Sequence, residues 1–201
     1  MEDDADIAAL RAALIASGGV IDTSRGEVRG APDPYVHAAT GMRFPRRIGP
    51  FTRRVVNRFD SSGADIGVSY ERRGGAKTAH LSVFLSPVPQ PLAAISPERQ
   101  IAGAAMLFER IKADALDGLP DAVIEEEAPH QPPLIGHHAR IAAMSSFDGA
   151  EQPVREGLWL YAYLARDWVL TYRATWPAAS TEAGEDCATF VDELAWPRSF
   201  R

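Results

Sequence analysis

The chain has 201 residues, of which 46% are hydrophobic and 24% are charged, and it contains one cysteine. This composition is typical of a globular protein and excludes a disordered one. The length suits one domain, with two small domains as the alternative. A single cysteine excludes an internal disulfide and a cysteine-based zinc site, and the net charge of −6 argues against a general nucleic-acid-binding protein.

The N-terminal segment predicts a short amphipathic helix followed by an extended arm. Acidic residues open the segment, and Gly18 and Gly19 end its apolar pattern, as the two ends of a helix require. Residues 1–43 are therefore assigned to the helix and arm, and residues 44–201 to a single domain. The absence of a long apolar run predicts no membrane span and a cytoplasmic location, with the periplasm as the alternative if a leader has been removed.

Three segments after residue 50 predict an antiparallel meander. Residues 51–60 and 64–72 flank the turn residues Ser61, Ser62 and Gly63, which is typical of a β-hairpin. Residues 78–86 alternate apolar and polar side chains, as a strand with one buried face does.

A long helix is predicted next, over residues 96–117. Ser96 and Pro97 are typical of a helix start, Gly118 is typical of a helix end, and the apolar stripe of the helix includes Ile101 and Phe108. Further strands and a short closing helix follow. The strand segments are 122–127 at a sheet edge, 134–147, 154–165 and 168–176. The closing helix is capped at Thr181 and Glu182, has its apolar stripe within residues 183–194, and ends at Trp196 and Pro197.

This order of elements predicts an α+β fold in which an antiparallel sheet of six to seven strands is covered by a long middle helix and a short C-terminal helix. The β-β-β-α-β-β-β-α layout, with its WLYAYLARDWVLTYRATW hairpin and closing ATFVDELAW helix, resembles the PsbP-like family. That family includes photosystem extrinsic subunits, a nuclear-transport adaptor, bacterial lipoproteins and adaptor chaperones of secretion systems. The resemblance implies a binding or adaptor role and transfers no functional residue.

An arginine cluster lies at the start of the predicted sheet. The span has six positive charges and no acid, so the remainder of the chain has a net charge of −12. Its members are Arg43, Arg46, Arg47, Arg53, Arg54 and Arg58. Such a cluster can receive phosphate groups, an anionic lipid or an acidic partner. We expect Arg46, Arg47, Arg53 and Arg54 to form an exposed and contiguous patch. The alternative is a surface strand whose arginines pair with the protein's own acids.

An aromatic set on the last two strands is the second candidate surface. Its members are Trp159, Tyr161, Tyr163, Trp168, Tyr172 and Trp176. Aromatic side chains on adjacent strands can line an apolar groove, which we assign to Trp159, Tyr161, Tyr163 and Trp168. The alternative is that the set forms sheet core beneath the helices. On residues 158–164 apolar side chains occupy both faces, which predicts a central strand covered on both sides.

The histidines and the cysteine form no catalytic or metal-binding pattern. His137 and His138 are adjacent on a predicted strand and point to opposite faces, so they cannot readily share one ion, and His130 precedes them in a proline-rich segment. Cys187 lies on the apolar stripe of the closing helix, which indicates a buried position. We therefore assign no catalytic residue, no cofactor and no metal site.

These patterns favour a non-enzymatic, bacterial-type binding or adaptor protein that uses its sheet face and its arginine-rich first strand. The expected partner is a protein, through an acidic surface or a peptide; nucleic acid is not expected, and a homodimer is an open alternative. A hydrolase is the first alternative, and it needs a pocket between sheet and long helix with converging His, Asp or Arg groups. A structural subunit of an envelope or secretion assembly is the second, and it needs a large exposed apolar patch.

Overall fold

The computed structural model describes residues 26–28, 30–72, 78–88, 96–119, 121–130, 135–163 and 168–194. The strands are β1 (Tyr35–Val36), β2 (Arg43–Phe44), β3 (Arg47–Ile48), β4 (Phe51–Arg58), β5 (Ile66–Arg72), β6 (Ala79–Pro87), β7 (Val123–His130), β8 (Ile135–Phe147), β9 (Ala150–Tyr163) and β10 (Trp168–Pro177). The helices are α1 (Pro97–Asp117) and α2 (Thr181–Glu193). The predicted N-terminal helix and the side chains of His130 and Tyr163 lie outside the described residues.

One antiparallel sheet of eight strands forms the centre of the protein, in the order β3-β4-β5-β6-β10-β9-β8-β7. The run β4–β6 and the run β7–β10 are each meanders, and β6 pairs with β10 where the two runs meet. The predicted α+β fold class is confirmed. The strand count exceeds the expected six to seven because the two-residue β3 joins one edge, while the predicted edge strand becomes β7 at the other.

The two helices cover opposite faces of the sheet. On the front face, Phe190 of α2 packs edge-on against Phe51 and Tyr70, with ring centroids 5.1 and 4.8 Å apart. On the rear face, Phe108 of α1 lies in an apolar cluster that includes Leu158. Burying an aromatic side chain of this size contributes about 1.5–3 kcal/mol, so these contacts hold each helix in place. The predicted α1 stripe begins later than expected, because Ile101 is half exposed.

Strand β9 is covered on both faces, as its sequence predicts. Leu158 and Leu160 face the α1 cluster and are completely buried. Trp159 and Tyr161 belong to the front cluster beneath α2. Strict alternation along a strand places these pairs on opposite sides. Both sides are apolar because each joins a buried cluster, one shared with α1 and the other with α2 and the arm.

The described part of the arm packs on the front face of the sheet. Its residues Tyr35 and Met42 are buried in the cluster that α2 also joins. The amide of Val28 donates to the carbonyl of Val56, and Arg58 donates to Gly26, each at 2.8 Å, along the outer edge of β4. The arm therefore covers part of an edge that would otherwise present unpaired backbone groups. The domain division after residue 43 stays a prediction.

Candidate functional site

The segment from Met42 to Ile48 presents arginines from a well-anchored backbone. Met42, Phe44 and Ile48 are buried in the front cluster. The intervening arginines face outward, since Arg43, Arg46 and Arg47 are all exposed. We call these three residues the arginine rim. Because Met42, Phe44 and Ile48 are fixed in the core, the rim is held in position before any partner binds.

Arg53 anchors the rim and is not part of it. Its guanidinium is half-buried and donates hydrogen bonds to the backbone carbonyls of Phe44, Ala31 and Pro32, at 3.3 Å for Ala31 and 2.7 Å for Pro32. The hydroxyl of Tyr70 donates to the carbonyl of Pro45 at 3.0 Å, and burial raises the pKa of that hydroxyl. The expectation of an exposed Arg53 is wrong, because the arm brings carbonyl groups over its strand.

Arg54 and Arg58 are also separate from the rim. A β-bulge in β4 interrupts the register between Arg53 and Val55, and Arg54 there forms an ion pair with Glu71 at 3.1 Å. Arg58 is exposed at the far end of β4, about 20 Å along the strand from its start. The six arginines therefore do not form one contiguous patch. Three form the rim, one anchors it, one is paired and one lies apart.

A surface hollow of about 340 Å³ opens beside the rim, where α2 ends. Three charged side chains line it, namely Arg43, Arg47 and Glu193. The remaining lining residues are Met42, Pro45, Ile48, Gly49 and Leu194. We call this feature the α2 hollow. Within the described ranges, none of the rim arginines and no oxygen of Glu193 takes part in an ion pair.

The aromatic set lies mainly in the core. Trp159 stacks on His138 with ring centroids 4.9 Å apart, and its ring lies across Gly157, where a Cβ atom would come within 2.2 Å of it. Tyr161 packs edge-on against Tyr172 at 5.9 Å, and burial raises the pKa of Tyr161 to about 12. Their exposed fractions are 7% for Trp159 and 8% for Tyr161, so these rings offer a partner little area.

Trp168 contacts the arm. It is half-buried, and His37 of the arm packs edge-on against it at 5.1 Å. His37 also bridges Thr40 and the carbonyl of Gly63, at 2.8 and 2.9 Å. The ring contact therefore helps to hold the arm on the sheet.

The histidines and the cysteine have structural surroundings. His137 stacks on Phe108 of α1 and His138 on Trp159, so the two point to opposite faces of β8. Cys187 is completely buried, and burial raises the pKa of its thiol to about 12. Among the residues that the structure describes, no three His, Cys, Asp or Glu side chains lie close enough together to hold a metal ion. No helix in those ranges is long and apolar enough to span a bilayer.

Sequence reasoning missed two contributors to this region. Glu193 reaches the α2 hollow only because α2 packs back across the front face, and no local pattern indicates that contact. His37 is completely buried although it comes from a segment rich in turn residues. A histidine between turn residues only weakly indicates that its side chain is buried, because its contacts Gly63 and Trp168 lie far away in the chain.

Fold and site together define an α+β protein with an antiparallel sheet and a preorganised basic rim. No protein-family model and no curated protein matches the chain. Among solved structures, the Ran-binding protein Mog1p of Saccharomyces cerevisiae is similar at a TM-score of 0.38 and 14% sequence identity. The similarity covers 72% of this chain and 90% of that chain. At this level it carries no conclusion about function.

Proposed function

We propose that this protein is a non-enzymatic binding protein whose arginine rim receives an acidic segment of a protein partner. The observation that carries the proposal is the exposure of Arg43, Arg46 and Arg47 without a carboxylate partner in the described part of the chain. Guanidinium groups bind carboxylates through two parallel hydrogen bonds, which makes arginine suited to acidic partners. The anchored backbone reduces the entropy lost when such a partner binds.

The distribution of charge supports the same surface. Outside the arginine segment the chain has a net charge of −12, so an acidic partner is repelled by most of the protein. The positive charge of the rim attracts such a partner, so an acidic segment approaches the protein most favourably there. Complementary charge of this kind increases the association rate and selects orientation more than it increases affinity.

The two other functional classes have less support. A hydrolase needs a pocket between the sheet and α1. In the described part of that interface Phe108 and Leu158 belong to an apolar cluster, and the buried Lys112 is paired with Glu109 and Glu127. A structural subunit needs a large apolar patch. The exposed large apolar side chains in the described ranges are distributed over the arm, α1, β7 and β8, as Val36, Ile101, Met106, Val123, Ile124 and Met144.

We extend the proposal to the location of the protein, its type and its self-association. We place the protein in the cytoplasm, treat it as a bacterial-type adaptor with the PsbP-like layout, and keep self-association as a homodimer as the alternative use of its surface. The layout is the support for the adaptor role, and a layout alone supports function only by analogy.

Binding of a fluorescein-labelled glutamate-rich peptide, followed by anisotropy, tests the proposal. We expect the triple variant Arg43→Ala, Arg46→Ala, Arg47→Ala to bind about tenfold more weakly, since three exposed ion pairs of about 0.5 kcal/mol each contribute about 1.5 kcal/mol together. We also expect the wild-type affinity to fall as salt is added. Arg110→Ala is the matched control, because Arg110 is exposed on α1. Equal losses in both variants would contradict the proposal.

A further inference from the structure

The α2 hollow combines charges of opposite sign that do not neutralise one another. Arg43 and Arg47 line it together with Glu193, and no ion pair joins them within the described ranges. Elsewhere in the described ranges acids and bases do pair, as Arg72 does with Glu182 and Asp186 at 2.7 and 2.6 Å. The three side chains in the hollow are therefore available to groups outside the protein.

Glu193 occupies a position that helix electrostatics disfavours. It is the last residue of α2, and the last turn of that helix contains no basic residue. The C-terminal end of a helix carries a partial negative charge, so a carboxylate there is unfavourable and a cation is favourable. A residue that breaks a local rule without a compensating internal contact is a candidate for a functional role.

We propose that the α2 hollow selects an acidic segment that also carries a lysine or an arginine. The carboxylates of the partner contact Arg43 and Arg47, and its basic side chain contacts Glu193 and the negative end of α2. A segment with acids alone places a carboxylate against Glu193, which is repulsive. The volume of about 340 Å³ lies at the lower end of the range that small ligands occupy, which suits a few side chains.

This inference rests on the proposed function, since it assigns Glu193 as the specificity-determining residue of the same site. The two claims predict different orders of peptide affinity. Simple charge attraction predicts that the peptide with the largest negative charge binds best. Selection by Glu193 predicts that replacing one acid by a base improves binding although the net attraction falls.

Two labelled peptides of equal length test the inference, one containing only glutamate and glycine and the other with a central glutamate replaced by lysine. We expect the full chain to bind the lysine-containing peptide about threefold more tightly, within the range of one exposed ion pair. Glu193→Gln should abolish this preference, and Glu193→Lys should reverse it. Glu185→Gln is the control, because Glu185 is exposed on α2 away from the hollow.

The outcomes separate the two claims. If the wild type shows no preference while the rim triple variant still loses affinity, the role of Glu193 is overturned and the proposed function stands. If the rim variant binds both peptides as the wild type does, both claims fail. Thermal unfolding adds an independent readout. We expect Glu193→Gln to unfold at the same or a higher temperature, and a lower temperature would assign Glu193 an internal structural contact instead.

Discussion

At the scale of single residues, arginines of the same cluster have different roles. Arg53 donates to three backbone carbonyls from its side chain. The side chain of Arg46 is exposed, and its backbone is held instead: its amide donates to Asp33 at 2.7 Å, and its carbonyl accepts from the amide of Arg53 at 2.8 Å. A guanidinium that satisfies carbonyls in a partly buried place contributes to folding. An exposed guanidinium that has no carboxylate partner within the described ranges, like that of Arg46, contributes little to stability and can bind a partner.

We predict that Arg53→Gln and Arg46→Gln have different effects on stability. Arg53→Gln should lower the free energy of unfolding by about 1–3 kcal/mol, because carbonyl oxygens lose charged donors. Arg46→Gln should change it by less than about 0.5 kcal/mol. Urea unfolding followed by tryptophan fluorescence measures both values. Similar costs for the two variants would show that Arg53 does not anchor the rim.

At the scale of elements, His37 connects the arm to the β4–β5 turn. Its ring is completely buried between Thr40 and the carbonyl of Gly63. Burial is the main cause that lowers the pKa of His37 below 6.5, and it outweighs the hydrogen bonds and the nearby carboxylates of Asp60 and Asp65. The neutral ring is therefore the form that the folded protein favours.

The lowered pKa predicts that the arm loses stability in mild acid. Below the unfolded-state pKa of 6.5 the unfolded chain binds a proton that the folded chain resists, so the contribution of His37 is present at neutral pH and is lost as the pH falls. For one proton this slope is at most about 1.4 kcal/mol per pH unit. His37→Phe should be less stable at pH 7 and should show a flatter decline to pH 5.

Urea unfolding of the wild type and His37→Phe at pH 7, 6 and 5 provides that comparison. His137, whose pKa burial also lowers, is present in both proteins and therefore does not affect the difference between the slopes. An unchanged slope in His37→Phe would contradict the account of the arm.

The elements that sequence could predict are those specified by local signals. The long helix is expected over residues 96–117 and is found at Pro97–Asp117, because its proline start, apolar stripe and glycine end are all close in the chain. The two-residue β3 has no such pattern and exists only through its pairing with Thr52 and Phe51. Boundaries set by distant partners cannot be obtained from a local pattern.

In the candidate site, too, local sequence predicts some features and distant contacts determine the others. The spacing of arginines along the chain located the cluster. The β4 bulge, the carbonyls above Arg53 and the approach of Glu193 depend on strand register and topology. Burial of Trp159 and Tyr161 likewise depends on the front cluster, to which α2 and the arm contribute. The sequence therefore indicated the chemistry of the rim, and the fold determined which of its residues are available.

At the scale of the whole molecule, both faces of the sheet are packed against other elements, and the surface that we propose for binding lies at the margin of the front face. The rear face packs against α1, and the front face packs against α2 and the arm. The rim and the α2 hollow lie where the arm and the end of α2 meet, so two anchored elements fix the relative positions of their charges. Such fixed charges can discriminate between partners that differ in one side chain.

The most direct test of the central claim is to locate the bound peptide by NMR. Uniformly ¹⁵N-labelled full chain is titrated with the lysine-containing glutamate peptide, and backbone amide shifts are followed residue by residue. The account predicts that the largest shifts occur in residues 42–49 and at Glu193 and Leu194. Shifts concentrated on α1, on β7 or on the rear-face residues Ser69 and Ser82, with residues 42–49 unchanged, would contradict it.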